Sequence, residues 1–498
     1  MQQRSWRAWR GGDAEGCVRD RSGRGALLAA VLTTALAVLS TAAGAPGGPA
    51  RDPAEPAAGR PPAERLLVPA APAGSIQRGA VDEAALRAIV EELAECGTRQ
   101  SLSSWTDPRR GIGCGRDRVL ARFRAIARAS GDRLQVRVDR FEAESPRTGG
   151  KPAHLENVLA ILPGSDEALA RTVFLVSGHY DSIPSSATDP VADAPGADDD
   201  ASGVAVALEC ARLLAGDPGK RYRATLLFAA VSGEEQGLLG GTRLRDYLKT
   251  NGFTVGGFLD NDIVGADFAP GAPHRVRLFS GGGPDGVDSP SRDLARTVEE
   301  IAGRDAVRLV FRLDRLGRGG DHRPFVEAGL PAVRFTEPLE DYAHEHQTPR
   351  VEGGREYGDL VKFMDFSFLG DVARINAETL RQLALAPAAP VAVTVAGGVT
   401  PSARLEWTAP ADPERAGFEV LWRETTDARW SVLETLPPAA EEHGQAPAES
   451  TASGRHETVL AGISTDNRFF AVRAAGANGA RSLPVAAVLK PPPPKPPA

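Results

Sequence analysis

The sequence has few of the side chains that would point directly to a function. Among 498 residues there are only eight histidines and four cysteines, and 58 Lys and Arg are outnumbered by 65 Asp and Glu. No nucleic-acid partner is expected, because binding to phosphates needs a surplus of Lys and Arg. Because histidine and cysteine are scarce, any metal site must take most of its ligands from carboxylates.

The N-terminal residues have the pattern of an export signal. Arg21 and Arg24 precede the apolar run Ala26 to Leu39, and small residues follow at 41–45. These are the parts of a secretory signal peptide. The run is shorter than the roughly 20 residues of a membrane-spanning helix. We expect a signal peptide over residues 1–45, a secreted, periplasmic or extracellular protein, and no membrane span after cleavage. An uncleaved signal anchor is the alternative.

Residues 46–82 are rich in Ala and Pro and are predicted to form a linker or propeptide. Export places the chain in an oxidising compartment, where disulfides persist. Cys96 and Cys114 lie in a loop-like stretch and could form a disulfide or stay as thiols. Cys210 lies in an apolar helical pattern and is expected to be a buried free thiol.

Strand-like and helical patterns alternate between residues 83 and 386. Residues 173–176 and 224–231 are apolar runs typical of buried strands, and helical stretches follow at about 202–214 and 238–249. This alternation predicts an α/β fold with a mostly parallel central sheet. Ligands in such folds bind at the carboxyl ends of the strands.

Acidic residues and histidines form five clusters at predicted strand ends and loops. They are His179-Tyr180-Asp181, Asp198-Asp199-Asp200, Glu234-Glu235, Asp260-Asn261-Asp262 and His344-Glu345-His346. One cluster alone could be a solvated charge run, and residues 198–200 could cap the helix that follows. Five clusters together favour two divalent metal ions. Zinc accepts both imidazole and carboxylate ligands.

Four segments resemble the sequence blocks of peptidase family M28, which comprises di-zinc aminopeptidases related to the secreted bacterial leucyl aminopeptidase. The segments are Val176-Ser-Gly-His-Tyr-Asp-Ser182, Pro195-Gly-Ala-Asp-Asp-Asp-Ala-Ser-Gly203, Ser232-Gly-Glu-Glu-Gln-Gly-Leu238 and Asn261-Asp-Ile-Val-Gly265. The resemblance covers roughly residues 83–386. It implies a three-layer αβα zinc-peptidase sandwich that binds two Zn²⁺ ions.

The resemblance also implies the metal ligands. They are His179 and Asp262 for one zinc ion, Glu235 and His346 for the other, and Asp198 as the bridge between them. Asp262 is favoured over Asp260 because it directly precedes an apolar residue and lies close to a glycine, as in the family. His346 is favoured over His344 because Gln-Thr follows it.

Other roles follow from the same resemblance. Glu234 matches the general base, and the family's peptide bond between the residues matching Asp198 and Asp199 is cis. Asp181 and Asp199 are expected to support the ligands, Asp181 from behind His179. His322 and Arg334 are assigned to the substrate pocket.

Residues 391–490 have short alternating runs separated by turn residues, which predict a β-sandwich. Leu405, Trp407, Pro410 and the segment around Phe470 resemble a fibronectin type III domain. This segment has no catalytic cluster, so it is expected to contact a surface or polymer, or to act as a spacer. Residues 491–498 form a Pro-rich tail.

The leading hypothesis is a secreted zinc aminopeptidase that acts on peptide or protein substrates. One alternative is a carboxypeptidase or dipeptidase of the same family, in which Arg334, Arg323 or Arg350 would bind a substrate carboxylate. A second is a glutaminyl cyclase-like acyl transferase with one zinc ion. A third is a non-catalytic binding protein on the same scaffold.

Overall fold

The computed structural model describes residues 74–217, 219–266, 275–282, 288–396, 398, 400–437 and 454–490. The signal peptide predicted over 1–45, most of the predicted linker 46–82 and the tail 491–498 lie outside these residues. The described residues belong to one compact unit. In this part of the chain, no helix combines the length and the apolar character needed to cross a membrane.

An eight-stranded sheet forms the centre of the N-terminal part. Its strands are β1 (Gln135–Ala143), β2 (Ala153–Leu162), β3 (Thr172–His179), β4 (Thr225–Val231), β5 (Thr254–Asn261), β6 (Val276–Phe279), β7 (Val307–Val310) and β8 (Ala332–Thr336). They lie in the order β1-β2-β4-β3-β5-β8-β6-β7, and the central strands β4, β3, β5 and β8 run parallel. The predicted α/β fold with a mostly parallel sheet is confirmed.

Helices cover both faces of this sheet. The first face packs against α1 (Glu83–Ala94), α2 (Ile112–Ala129), α3 (Ala201–Ala215), α5 (Pro290–Ala302) and α7 (Phe366–Leu385). The second face packs against α4 (Leu239–Thr250) and α6 (Arg323–Glu327). Alternate residues of β3 therefore enter different cores: Phe174 and Val176 the first, Val173 and Leu175 the second. A strand covered on both faces reads as a continuous apolar run, which is why β3 and β4 stand out in the sequence.

Two smaller four-stranded sheets follow a short hairpin of β9 (Arg350–Glu352) and β10 (Arg355–Tyr357) and helix α7. Their strands are β11 (Val391–Ala396), β12 (Ser402–Ala409), β13 (Arg415–Glu424), β14 (Ser431–Leu436), β15 (Gly454–Ala461), β16 (Arg468–Gly476), β17 (Val485–Ala486) and β18 (Val488–Leu489). The orders are β15-β12-β11-β18 and β14-β13-β16-β17. Trp407, Phe418 and Phe470 share one core between them. The C-terminal part is all-β, as expected, and its resemblance to fibronectin type III stays a prediction.

The cysteines take the arrangement that an oxidising compartment permits. Cys96 and Cys114 form a disulfide with their Cα atoms 5.9 Å apart, and Cys210 is a buried free thiol. The disulfide joins the residues after α1 to the first turn of α2. It therefore fixes the segment 96–101, which contacts the loops at the end of β3.

Buried ion pairs attach the all-β part to helix α5. Asp288, just before α5, pairs with Arg296 of the helix at 2.8 Å and with Arg423 of β13. Asp293 of α5 pairs with Arg296 at 2.8 Å and accepts a hydrogen bond from the indole of Trp430 at 2.8 Å. The side chains of Asp288, Arg296 and Arg423 are each 5% exposed. At this depth each charge needs its partner, because a buried charge without compensation destabilises the fold.

Replacement of Asp288 tests this attachment. Removing one partner of a buried ion pair leaves an uncompensated charge and costs about 3–5 kcal/mol. We therefore expect Asp288→Asn to lower the urea midpoint of unfolding, followed by tryptophan fluorescence. Arg404→Gln is the control because Arg404 and Glu457 form a largely exposed pair, worth about 0–1 kcal/mol. Equal midpoints for the two variants would show that the buried pairs do not hold the contact.

Candidate active site

Three parallel strands of the large sheet deliver polar side chains to one edge. His179 is the last residue of β3, Glu234 and Glu235 follow β4, and Asp262 follows β5. Parallel neighbours end at the same edge of a sheet, so these residues meet there. Two loops, 198–200 before α3 and 344–346 after β8, supply the remaining groups.

The first group of candidate metal ligands centres on His179. Its Nε2 atom lies 3.1 Å from Asp199 Oδ1 and 3.7 Å from Asp262 Oδ1. His179 is buried, and its Nε2 has no hydrogen-bond partner among the described residues. A buried imidazole nitrogen that faces two carboxylates without a hydrogen bond is suited to binding a metal ion.

The second group centres on His346 and shares one residue with the first. His346 Nε2 lies 2.8 Å from Asp199 Oδ2 and 3.2 Å from Glu235 Oε1. Glu235 Oε1 is buried and has no hydrogen-bond partner in the described part of the chain. The two oxygens of Asp199 thus face the two histidines, one each. Asp199 is placed to bridge two ions.

This placement corrects the choice of Asp198 as the bridging residue. The Asp198 carboxylate turns away and accepts a hydrogen bond from the Gly265 amide at 2.6 Å. Asp359 accepts hydrogen bonds from the amides of Asp198 and Asp199, each at 2.8 Å, and so fixes which carboxylate enters the site. The cis peptide bond lies between Asp199 and Asp200, one residue later than expected.

The helix-cap alternative applies to the third aspartate of this loop. One oxygen of Asp200 accepts a hydrogen bond from the Gly203 amide at 2.8 Å, in the first turn of α3. The other accepts from the His179 amide at 2.8 Å. Asp200 therefore joins the start of α3 to the end of β3. The carboxylates of these three consecutive aspartates thus have three different sets of partners, which their order alone does not reveal.

Asp181 lies behind both His179 and the glutamate pair. Its Oδ1 atom is 3.6 Å from His179 Nδ1, on the ring side opposite the candidate ligand atom. Its carboxylate also accepts hydrogen bonds from the Glu234 amide at 3.4 Å and the Glu235 amide at 3.2 Å. Ser101 donates a third hydrogen bond at 2.9 Å. Asp181 therefore orients the histidine and the loop after β4 together.

Glu234 adjoins this group without an ion-pair partner in the described residues. Burial raises the pKa of Glu234 well above its usual value, and the negative charges of Asp262 and Glu235 add to the rise, against the opposing effect of His179. A raised pKa makes the Glu234 carboxylate a stronger base, which suits a general base.

The histidines show how negative this edge is. Burial by itself would lower the pKa of His179, but the neighbouring carboxylates of Asp181 and Asp199 hold that pKa well above its usual value. Burial would also lower the pKa of His346, yet Glu235 and Asp199 raise it to about 12. Carboxylates thus outweigh the cost of burying a positive charge. An excess of buried negative charge fits divalent cations.

The two residues assigned to the substrate pocket lie elsewhere. Arg334 is fully buried and pairs with Asp262 Oδ2 at 2.8 Å and Asp314 at 3.1 Å. His322 is fully buried, with its Nε2 atom 2.7 Å from the Leu313 carbonyl and its amide donating to Asp260. Both therefore lie behind the metal-ligand groups. Asp260 accepts the hydrogen bond from the His322 amide, whereas Asp262 faces His179.

Sequence reasoning missed two buried residues that position the site. Asp359 follows the β9–β10 hairpin, where nothing in its neighbours distinguishes it from a surface turn residue. Arg99 is buried and donates hydrogen bonds to the carbonyls of Tyr180 at 2.7 Å and Gly196 at 2.8 Å, joining the loop after β3 to the loop before α3. The only sequence signal for Arg99 is its nearness to Cys96.

The chain is similar to known peptidases over most of its length. The model of peptidase family M28 matches residues 157–350. A probable zinc metalloprotease of Leptosphaeria maculans is 37% identical over 420 residues, which cover 80% of this chain and 92% of that protein. A probable zinc metalloprotease of Pyricularia oryzae is 38% identical over 433 residues, covering 81% and 82%.

Solved structures with a similar backbone include the LapA aminopeptidase of Legionella pneumophila. It is 16% identical, with a TM-score of 0.46, over 62% of this chain and 73% of that one. The glutaminyl cyclase of Porphyromonas gingivalis is 18% identical, with a TM-score of 0.44, over 60% and 98%. The family model spans the blocks that carry His179, Glu235 and Asp262, and the relatives share their sequence with most of this chain. The chain belongs to peptidase family M28.

Proposed function

We propose that this zinc metallopeptidase is an exported aminopeptidase that binds two zinc ions and removes N-terminal residues from peptides. The observation that carries the proposal is Asp199, whose two oxygens face His179 and His346 at 3.1 and 2.8 Å. His179, Asp199 and Asp262 would hold one ion. Asp199, Glu235 and His346 would hold the other.

Bound zinc would supply Lewis acidity, which acidifies water and polarises the scissile carbonyl. The chain supplies the proton transfer. Glu234 takes a proton from the water that attacks the carbonyl carbon and passes it to the amine nitrogen as the C–N bond breaks. Asp181 holds the Glu234 amide, so the carboxylate stays beside the ligands during both transfers.

The charges around the site favour a substrate amino group over a substrate carboxylate. Arg334 is committed to Asp262 and Asp314. Arg323 pairs with Glu327, and Arg350 pairs with Glu352, each on the exposed surface. The three arginines that could bind a substrate carboxylate are therefore already paired with acidic side chains. This supports an aminopeptidase, which binds a free α-amino group, over a carboxypeptidase.

Export is supported by the disulfide and by the N-terminal pattern. A Cys96–Cys114 bond persists in an oxidising compartment and is rare in the cytosol. The disulfide holds segment 96–101, from which Arg99 and Ser101 contact the site. The site is therefore built on a bond that is stable outside the cytosol.

Glu234→Gln tests the general base. The amide keeps the size of the side chain but cannot accept the proton, so kcat should fall by about 10²–10⁴-fold while zinc content stays unchanged. Glu91→Gln, on the exposed part of α1, is the matched control. Turnover near the wild-type value in a zinc-replete Glu234→Gln protein would contradict the role.

A pair of variants in one loop tests the bridging ligand. Asp199→Asn should lower the zinc content at both positions, because it weakens the carboxylate placed between the two histidines. Asp198→Asn should retain zinc, because the Asp198 carboxylate bonds to the Gly265 amide instead. Zinc per chain is measured by atomic emission after gel filtration. The reverse pattern would restore Asp198 as the bridge.

Peptides with a free or blocked N-terminus test the exopeptidase direction. A free α-amino group should be required, so aminoacyl chromogenic substrates should be hydrolysed and their N-acetylated forms should not. Peptides with an amidated C-terminus are the control and should be cleaved as well as the free acids. Hydrolysis of blocked substrates alone would rule out an aminopeptidase.

A further inference from the structure

Glu345 places an unassigned carboxylate beside the second metal position. Ligand-type atoms of Glu345, Asp199 and His346 all lie within 4.8 Å of one another. The side chain is well buried, since Glu345 is 7% exposed. Its Oε2 atom has no hydrogen-bond partner among the residues that the structure describes. A buried, unpaired carboxylate oxygen is costly unless a cation compensates it.

The backbone at His346 explains how two consecutive residues reach one site. Neighbouring side chains of an extended chain point to opposite sides. His346 has a φ of 52°, in the left-handed region that few residues other than glycine adopt. This conformation breaks the alternation, so that Glu345 and His346 both approach Asp199. Non-glycine residues with this conformation occur most often at active sites and ligand-binding sites.

Pairing with Arg318 does not account for the whole of Glu345. The guanidinium of Arg318 contacts Glu345 Oε1 and also Glu340. Glu340 in turn pairs with Arg277 at 2.5 Å and Arg315 at 2.7 Å. Arg318 thus compensates one oxygen of Glu345. The other oxygen stays free to bind a cation.

We propose that Glu345 is a further ligand of the second metal position. That position then has three carboxylates and one imidazole: Asp199, Glu235, Glu345 and His346. Arg318 pairs with one oxygen of Glu345, and its positive charge weakens the attraction of Glu345 for the ion. This inference rests on the proposed two-zinc site and adds to it a residue between the two late histidines of the sequence.

Zinc titration of the metal-free full chain tests the proposal. We measure both dissociation constants by competition with a chromophoric chelator, in the wild type, Glu345→Gln and Arg318→Gln. Glu345→Gln should weaken binding of one of the two ions by about 10-fold or more and leave the other unchanged. Arg318→Gln should leave that ion as tight as in the wild type or tighter, because an opposing positive charge is removed.

Asp341→Asn is the matched control. Asp341 lines a small cavity together with Asp199 and Glu345, and its replacement removes the same charge, but it is not in the group around His346. Both dissociation constants should keep their wild-type values. Equal weakening by Asp341→Asn and Glu345→Gln would show that general negative charge, and not ligation, is responsible, and would overturn the proposal.

Thermal unfolding of the metal-free protein shows whether Glu345→Gln folds. If it does not, Glu345→Asp tests whether Glu345 is a ligand. The shorter carboxylate keeps the charge but reaches less far, so a ligand role predicts weaker binding of one ion. Wild-type constants in Glu345→Asp or Glu345→Gln would overturn the role of Glu345 and leave the proposed function intact. A wild type that binds fewer than two zinc ions would overturn the two-zinc site itself.

Discussion

Mutual repulsion of buried carboxylates is the constraint on which the architecture of this site depends. Asp199, Glu235 and Asp262 converge at one edge of the sheet, with little water to screen them. The protein opposes their repulsion with groups held from behind. Arg334 lowers the pKa of Asp262 against the effect of burial, and backbone amides bind the carboxylates of Asp181 and Asp359. Zinc bound at this edge would complete the balance. The supporting contacts thus determine which oxygens remain available.

The sequence alone was enough to predict the large-scale arrangement. β3 and β4 are buried on both faces, so their apolar runs are easily recognised, and the residues that follow them meet because parallel strands share an edge. His179 and Glu235 could be placed on this basis. Strand position is a local property of the chain, and local patterns are what a single sequence records best.

Contacts between distant segments could not be predicted in the same way. The choice between Asp198 and Asp199 depends on Asp359, 160 residues away from Asp199. An arginine is a reasonable candidate to bind a substrate carboxylate. The Arg334 side chain is buried, however, and pairs with Asp262. A pattern of residue types states what chemistry is available, whereas tertiary contacts decide which member of a repeated run performs it. The individual functions in a run of identical residues are therefore fixed by contacts that the run itself does not record.

The attachment of the all-β part to α5 has a consequence for the size of the functional unit. Helix α5 packs on β8, the strand that carries Arg334. Asp293 of α5 binds Trp430 of the all-β part, and Asp288, just before α5, binds Arg423. A chain cut after α7 would leave Asp288 and Asp293 with fewer partners. The two carboxylates keep all their partners only when β13 and Trp430 are present, so a stable peptidase fragment is expected to include part of the β-rich extension.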